Sequence, residues 1–209
     1  MRSAPQDHEI GCHGYTHVHF GHEAMHREFA RGELAAAVEA ADALGVDARS
    51  FVFPVNVVRY RDLLPEFGFE CYRGGTPART WLGRQTARLR KLGSATIGRP
   101  APPVVEPRVD RYGLVNVPAS LYLYAFRGPM RSAVSAVGHD PLVEHAKRGV
   151  ELAATSEGVF HVWLHPHDIQ STAALAPLRE LFRCVDRFRE SHGLRVETMG
   201  DVADRIRRR

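Results

Sequence analysis

The amino-acid sequence predicts one domain of the α/β class with parallel strands. Short apolar runs closed by proline, glycine or serine alternate along the chain with amphipathic helical patterns. Such alternation is typical of parallel α/β sheets. The 209 residues suffice for one substantial core and are few for two. We therefore expect residues 1–209 to form a single domain.

The helical patterns come first in this prediction. The longest covers 23–44, and Gly45 is expected to end it as a C-terminal cap. Its apolar stripe consists of Phe29, Leu34, Val38, Ala41 and Leu44. Further helices are predicted at 60–67, 85–92, 140–155, 173–192 and at the C-terminus.

Strands are predicted where short apolar runs end in turn residues. They lie at 50–54, 68–74, 113–120, from 159 onward and from 194 onward. The segment 76–107 is expected to be an irregular connection, because it is rich in arginine and ends in a proline-rich stretch. Strand ends are where α/β folds place their sites, so the residues that follow each strand are the candidates to examine.

Composition excludes several classes of function. No apolar run approaches the roughly 20 residues that span a membrane, so we expect no membrane insertion. The net charge of +4 is modest and partly gathered at 205–209, so no nucleic-acid partner is expected.

The three cysteines are widely spaced and are predicted to be reduced, mostly buried thiols. The start of the chain has no apolar signal region, which predicts a cytoplasmic protein or a signal peptide lost with an earlier N-terminus. The oligomeric state is not predicted.

The first ten-residue motif, at 8–17, reads HEIGCHGYTH. Two imidazoles four residues apart, His13 and His17, reach one metal ion if the segment is helical. A catalytic zinc typically takes three protein ligands and keeps a position for water. The motif therefore supplies two metal ligands and needs a third.

This motif resembles the second motif of the polysaccharide deacetylases, the NodB-homology carbohydrate esterases, with Cys12 where serine is common. The resemblance implies a distorted (β/α) barrel and a divalent metal, zinc being expected, held by His13 and His17. It also implies hydrolysis of N-acetyl groups on a polysaccharide or amino sugar, so an N-acetylated carbohydrate is the expected partner.

The segment FVFPVN at 51–56 resembles the family's third motif. Val55 occupies the position of an arginine that, in the family, orients the catalytic aspartate. Arg59 or Arg73 is a possible substitute. Pro54 and Asn56 are candidate substrate-binding residues, and a plain turn with an Asx-type side-chain bond is an equal alternative for both.

The stretch VFHVWLHPHD at 159–168 resembles the family's fifth motif and assigns His165 as the general acid. An imidazole suits this task because its ordinary pKa, about 6.5, lets it hold and release a proton near neutrality. His167 is a candidate substrate-binding residue, and Asp168 a pocket residue or a support for one. Ser120 follows the strand that lines the substrate pocket in the family and is a weaker candidate.

The family's first motif supplies two adjacent aspartates, and this sequence contains no Asp-Asp pair. We therefore expect the first barrel strand to be missing through truncation. Three functions remain open. The chain is a metal-dependent deacetylase completed by upstream sequence, or a catalytically inactive carbohydrate-binding remnant. The third alternative is an unrelated metal-dependent hydrolase that recruits Asp7 or Asp168 as its third ligand.

Overall fold

A computed structural model describes residues 8–75, 102–124 and 140–209. Their contacts divide the chain into two compact units. The first comprises the described residues of Met1–Gly75, Pro107–Pro118 and Val196–Arg209, and the second those of Thr76–Glu106 and Ala119–Arg195. The expectation of a single domain stays a prediction.

The first unit is built on a four-stranded sheet. Its strands are β1 (Ser50–Val52), β2 (Cys71–Arg73), β3 (Arg108–Val109) and β4 (Val115–Asn116), in the order β1-β2-β4-β3. β1 pairs with β2 and β2 with β4 in parallel, whereas β3 runs antiparallel to β4. Parallel ends meet at one edge of a sheet, so the residues after β1, β2 and β4 lie along the same edge.

Helices complete the first unit. They are α1 (Arg27–Ala43), the 3-10 turns Pro54–Asn56 and Arg61–Phe67, and a C-terminal helix, Met199–Arg207. α1 begins where the His26 imidazole accepts a hydrogen bond from Phe29 N, and the chain leaves it through Gly45 at φ 61°. Tightly packed aromatic rings, among them Phe20, Phe51 and Phe53, fill the core between α1 and the sheet.

The second unit has a two-stranded parallel sheet and two long helices. β5 (Leu121–Tyr122) pairs with β6 (Val162–Trp163), and α2 (Pro141–Ala154) packs on α3 (Ala176–His192). The 3-10 turns Pro166–Asp168 and Thr172–Leu175 lead from β6 into α3. The C-terminal helix of the first unit, Met199–Arg207, is α4.

Most predicted elements are confirmed, with shifted bounds. The parallel pairing, the helices at α1, α2 and α3 and the cap at Gly45 are all present. The predicted helix 85–92 and the crossing segment up to 101 lie outside the described residues. All three cysteines are free thiols, as predicted, and burial raises the pKa of Cys71 to about 12.

Two predictions about elements are wrong. No strand forms at 194–198, because this stretch leads directly into α4 and its Val196 side chain is 69% exposed. The apolar stripe of α1 is also displaced. Phe29 and Leu44 are exposed, and the buried face consists of Ala30, Glu33, Leu34 and Ala37.

Within the described ranges, no helix is both long and apolar enough to cross a membrane. The two sheets of these ranges contain four and two strands. The distorted barrel implied by the resemblance stays a prediction.

Candidate functional site

The histidine motif enters the first unit as an extra strand-like segment beside β1. Cys12 N donates to Ser50 O and Val52 N donates to Cys12 O, both at 2.8 Å, in a parallel bridge with Phe51. A Cβ at Gly11 would lie 2.5 Å from Ser50 Oγ and 3.3 Å from Ser50 O, so a larger residue there would displace the Ser50 side chain. The motif therefore delivers His13 to the carboxyl-terminal edge of the sheet.

His13 and His17 meet at this edge with a geometry suited to one metal ion. His13 Nδ1 lies 2.6 Å from Val52 O. A carbonyl only accepts, so Nδ1 carries the hydrogen and Nε2 keeps its lone pair. The two Nε2 atoms are 3.1 Å apart. Nitrogens bound at 2.0–2.1 Å to a tetrahedral zinc lie about 3.3 Å apart, so the pair fits the group that the resemblance implies.

The spacing of four residues suggested that the two imidazoles meet on one face of a helix. The structure brings them together in a loop instead. Residues 13–17 form a bend in which Gly14 and His17 have φ angles of 83° and 60°. The left-handed backbone at His17 turns its ring back toward His13, and the rings meet edge to face at 4.7 Å. The loop, rather than a helical face, brings the two ligands together.

A buried carboxylate on α1 holds this loop. Glu33 is 5% exposed, and its two oxygens accept from Thr16 N and Thr16 Oγ1, each at 2.9 Å. Thr16 lies between the two histidines, so Glu33 fixes the segment that orients them. Sequence reasoning missed Glu33. It lies three residues after Ala30 and four before Ala37, on the face of α1 that the structure buries.

Pro54 and Asn56 lie in the turn after β1, in the same unit. Pro54 is buried beside Gly14, where a Cβ would lie 3.8 Å from Pro54 Cγ. Asn56 Oδ1 accepts from Arg73 Nε at 3.1 Å and from Arg73 Nη2 at 2.7 Å. Because a guanidinium only donates, this fork fixes the amide orientation and leaves Asn56 Nδ2 as the donor facing away from Arg73.

Arg73, rather than Arg59, stands at the turn that contains Val55. Arg73 is the last residue of β2, at the same sheet edge, and burial lowers the pKa of its guanidinium to about 10, so it is a cation at neutral pH. Arg59 is exposed and lies over the Tyr60 ring. Of the two arginines that the sequence offers as substitutes, the structure places Arg73 in contact with the third motif.

The second unit brings His165, His167 and Asp168 together after β6. His165 Nδ1 is 3.8 Å from Asp168 Oδ2, and His167 Nε2 is 3.9 Å from Asp168 Oδ1. The Asp168 side chain is 1% exposed, whereas the two imidazoles are 42% and 61% exposed. Tyr122 OH lies 2.8 Å from both oxygens of Asp168, and His165 N donates to Oδ2 at 2.9 Å. We call His165, His167 and Asp168 the HPHD cluster.

Aromatic rings surround the HPHD cluster. Tyr122 and Trp163, on the paired strands β5 and β6, stack with ring centroids 4.3 Å apart. The His165 ring meets both edge to face, and His165 and His167 stack at 4.8 Å. Tyr122 was missed by sequence reasoning, since it lies 46 residues before Asp168 and joins it only through strand pairing.

Ser120 lies in the second unit, just before β5, and is 5% exposed. Its Oγ accepts from His161 N at 3.0 Å, and its N donates to His161 O at 2.8 Å. These bonds join the starts of β5 and β6. The predicted contact of Ser120 with substrate stays a prediction.

Comparisons with known proteins add no relative to this picture. No protein-family model matches the chain, and no curated protein matches it. The resemblance to the deacetylases therefore rests on the sequence motifs.

Proposed function

We propose that this chain is a metal-dependent hydrolase that removes N-acetyl groups from a polysaccharide or an amino sugar. The observation that carries the proposal is the 3.1 Å approach of His13 Nε2 and His17 Nε2, with His13 Nδ1 held by a backbone carbonyl. A divalent metal, zinc being expected, would polarise the amide carbonyl and make water more acidic when bound. The cytoplasmic location expected from the sequence stays a prediction.

The proposed site residues have separate tasks in the reaction. His13 and His17 supply neutral imidazole ligands, and Val52 O fixes the tautomer of His13. Asn56 Nδ2 is a donor for the acetyl oxygen, since Arg73 occupies the amide oxygen. Pro54, His167 and Ser120 remain the other proposed substrate contacts.

His165 is the proposed proton donor to the departing amine, which is a poor leaving group until it is protonated. Asp168 lies near Nδ1 of this imidazole. A carboxylate at this position stabilises the imidazolium and leaves Nε2 to present the proton. The negative charge of the buried aspartate thus favours the protonated form of the acid.

No carboxylate of the described residues joins His13 and His17 in a three-ligand group. Asp7, one of the alternatives for a third ligand, lies outside those residues. Asp168, the other, belongs to the HPHD cluster of the second unit. The third ligand and the general base are therefore left unassigned.

The test is release of acetate from metal-loaded protein across a panel of N-acetylated sugars and their oligomers. We expect His13→Ala and His17→Ala to abolish the release and His165→Ala to lower it by about 10²–10⁴-fold. His192→Ala, an exposed histidine of α3, is the matched control and keeps the activity of the unmodified chain. Metal-loaded protein that releases no acetate from any sugar of the panel would contradict the proposal.

A second candidate function is a catalytically inactive carbohydrate-binding remnant. The observation that favours it is Val55, which stands in the position of the family's arginine and is 50% exposed. This alternative predicts that N-acetylglucosamine oligomers bind, as measured by calorimetry, and are recovered with all their acetyl groups. Absence of binding, or recovery of oligomers that have lost acetyl groups, would reject it.

A further inference from the structure

We propose that the HPHD cluster is a second divalent-cation site, whose ligands are His165, His167 and Asp168 rather than His13 and His17. The binding claim stands on the geometry of the second unit alone. Its regulatory consequence, inhibition by excess cation, rests on the proposed function of His165.

The three side chains already face one another. The ligand atoms of the cluster all lie within 4.8 Å of one another. Each carboxylate oxygen of Asp168 faces one imidazole, Oδ2 toward His165 Nδ1 at 3.8 Å and Oδ1 toward His167 Nε2 at 3.9 Å. Ligands bound at about 2.0–2.2 Å in a tetrahedral site are separated by about 3.3 Å. To bind one cation, the two partly exposed imidazoles therefore need to rotate toward each other and toward the carboxylate, from separations of 3.8 Å to at most 4.8 Å.

The carboxylate is fixed before any cation arrives. Asp168 is buried, and its oxygens are held by Tyr122 OH and by the backbone N–H of His165. Ligating carboxylates are commonly held by such outer hydrogen bonds, which orient them toward the metal. The 3-10 turn Pro166–Asp168 places both histidines and the aspartate within four consecutive residues.

The donor set indicates the class of cation. Two imidazole nitrogens and one carboxylate suit zinc and its first-row neighbours such as cobalt, nickel and copper. Magnesium and calcium prefer sites built of oxygen atoms. The exposed rings of His165 and His167 leave the cation open to solvent on one side, so water completes its coordination.

Cation binding at the HPHD cluster has a consequence for the proposed reaction. Ligation through Nδ1 prevents formation of the His165 imidazolium, and the Nε2–H that remains on the neutral ring is too weak an acid to protonate the departing amine. Excess zinc is therefore expected to inhibit acetate release by the unmodified chain, and whatever acetate release His167→Ala retains is expected to be insensitive to excess zinc.

The binding test uses the full chain with His13→Ala and His17→Ala, which removes the first pair of ligands. Co²⁺ is titrated into this double variant, with visible absorption as the readout, and Zn²⁺ then competes in calorimetry. We expect one equivalent of cation to bind. Adding His167→Ala should abolish the absorption band, and adding His192→Ala should leave it unchanged. Adding Tyr122→Phe should weaken binding about 10–100-fold.

Three results would overturn the second site. They are a folded double variant that binds no Co²⁺, a triple variant with His167→Ala that binds as tightly as the double variant, and a band that is lost equally with His192→Ala. Circular dichroism checks the fold of each variant. Because this binding is measured without substrate, a chain that binds Co²⁺ here and releases no acetate overturns the proposed function and leaves the second site standing.

Discussion

Four non-glycine residues of the described chain have positive φ angles, and all of them lie in the first unit: His17, Val55, Asn56 and Tyr60. Left-handed backbone costs an L-residue about 1–2 kcal/mol, and such strain gathers at functional sites. His17 is a proposed metal ligand, and Val55 and Asn56 form the turn held by Arg73. At the scale of single residues, three of these four positions therefore belong to the histidine motif and to the turn after β1, the two segments that carry the candidate site.

Val55 is the strained residue whose relief is easiest to measure. It is β-branched, has a φ angle of 49° and is 50% exposed, so its side chain contributes little burial. Asparagine tolerates this conformation. We expect Val55→Asn to raise the free energy of unfolding by about 1 kcal/mol, as measured by urea denaturation.

Val57 provides the matched control for this substitution. It is 41% exposed and has a φ angle of −93°, which any residue adopts. Val57→Asn should bring no gain in stability. Equal changes in the two variants would show that left-handed strain at Val55 is not the cause.

At the scale of elements, α1 supports the histidine loop through Glu33. The helix turns Glu33 rather than Phe29 inward, and the carboxylate takes both donors of Thr16. A periodic pattern of apolar residues could not show this, because it treats a charged residue as evidence of a solvated face. The predicted apolar stripe of α1 is therefore wrong at the face where the helix contacts the histidine loop.

Removal of Glu33 should affect stability and metal binding together. Glu33→Ala leaves the Thr16 donors without their partner, so we expect a loss of about 2–3 kcal/mol in the free energy of unfolding. Metal affinity at His13 and His17 should fall about 10–100-fold, as it does when outer supports of metal ligands are removed. Denaturation and metal titration measure the two effects.

Two further variants separate these effects from a general loss of helix stability. Glu39→Ala, at an exposed position of α1, should change stability by no more than about 0.5 kcal/mol. Thr16→Val combined with Glu33→Ala should cost less than the sum of the single changes. Unchanged metal affinity in a folded Glu33→Ala variant would remove Glu33 from the site.

Prediction from sequence succeeded where the signal is local. β1, β2 and α2 follow from short apolar runs and helical periodicity. The approach of His13 and His17 was predicted from a spacing of four residues. Glu33 and Tyr122 could not be found this way, because packing brings them to Thr16 and Asp168 across 17 and 46 residues.

From residue 194 onward, the local pattern predicted a strand that does not form. Leu194 and Val196 alternate with charged residues as an edge strand does, but the ion pair of Glu197 with Arg205 ties this stretch to α4 instead. The resulting turn ends in a reciprocal cap between Thr198 and Asp201. Tertiary contacts here decided between two structures that the local pattern could not distinguish.

At the scale of the whole molecule, distant parts of the chain close the first unit. Glu9 Oε2 accepts from Gly200 N at 2.7 Å, so the histidine motif caps α4 across 191 residues. Arg49, just before β1, donates to Glu70 and to Asp204 of α4, each at 2.6 Å. These polar contacts join the beginning and the end of the chain in one unit.

The Asp204 ion pair predicts a pH dependence of stability. The Arg49 guanidinium lowers the pKa of Asp204 below its ordinary value. The carboxylate therefore contributes stability above the unfolded pKa, near 4, and this contribution is lost as pH falls through the folded pKa. Asp204→Asn should be less stable than the unmodified chain at pH 6, and the difference should close as pH falls toward about 2.

Urea denaturation across this pH range measures the effect. Asp47→Asn, an exposed aspartate in the loop before β1, is the control and should run parallel to the unmodified chain. A difference between Asp204→Asn and the unmodified chain that stays constant down to the lowest pH would refute the role assigned to the ion pair.

The measurement that tests the central claim most directly is the metal content of the purified chain by elemental analysis, beside His13→Ala, His17→Ala and His19→Ala. His19 is an exposed imidazole two residues after His17 and serves as the control. We predict that His13→Ala and His17→Ala each hold one equivalent less of zinc or a similar metal, and that His19→Ala matches the unmodified chain. A folded chain without metal, or equal metal in all four proteins, would contradict the assignment of His13 and His17 as metal ligands.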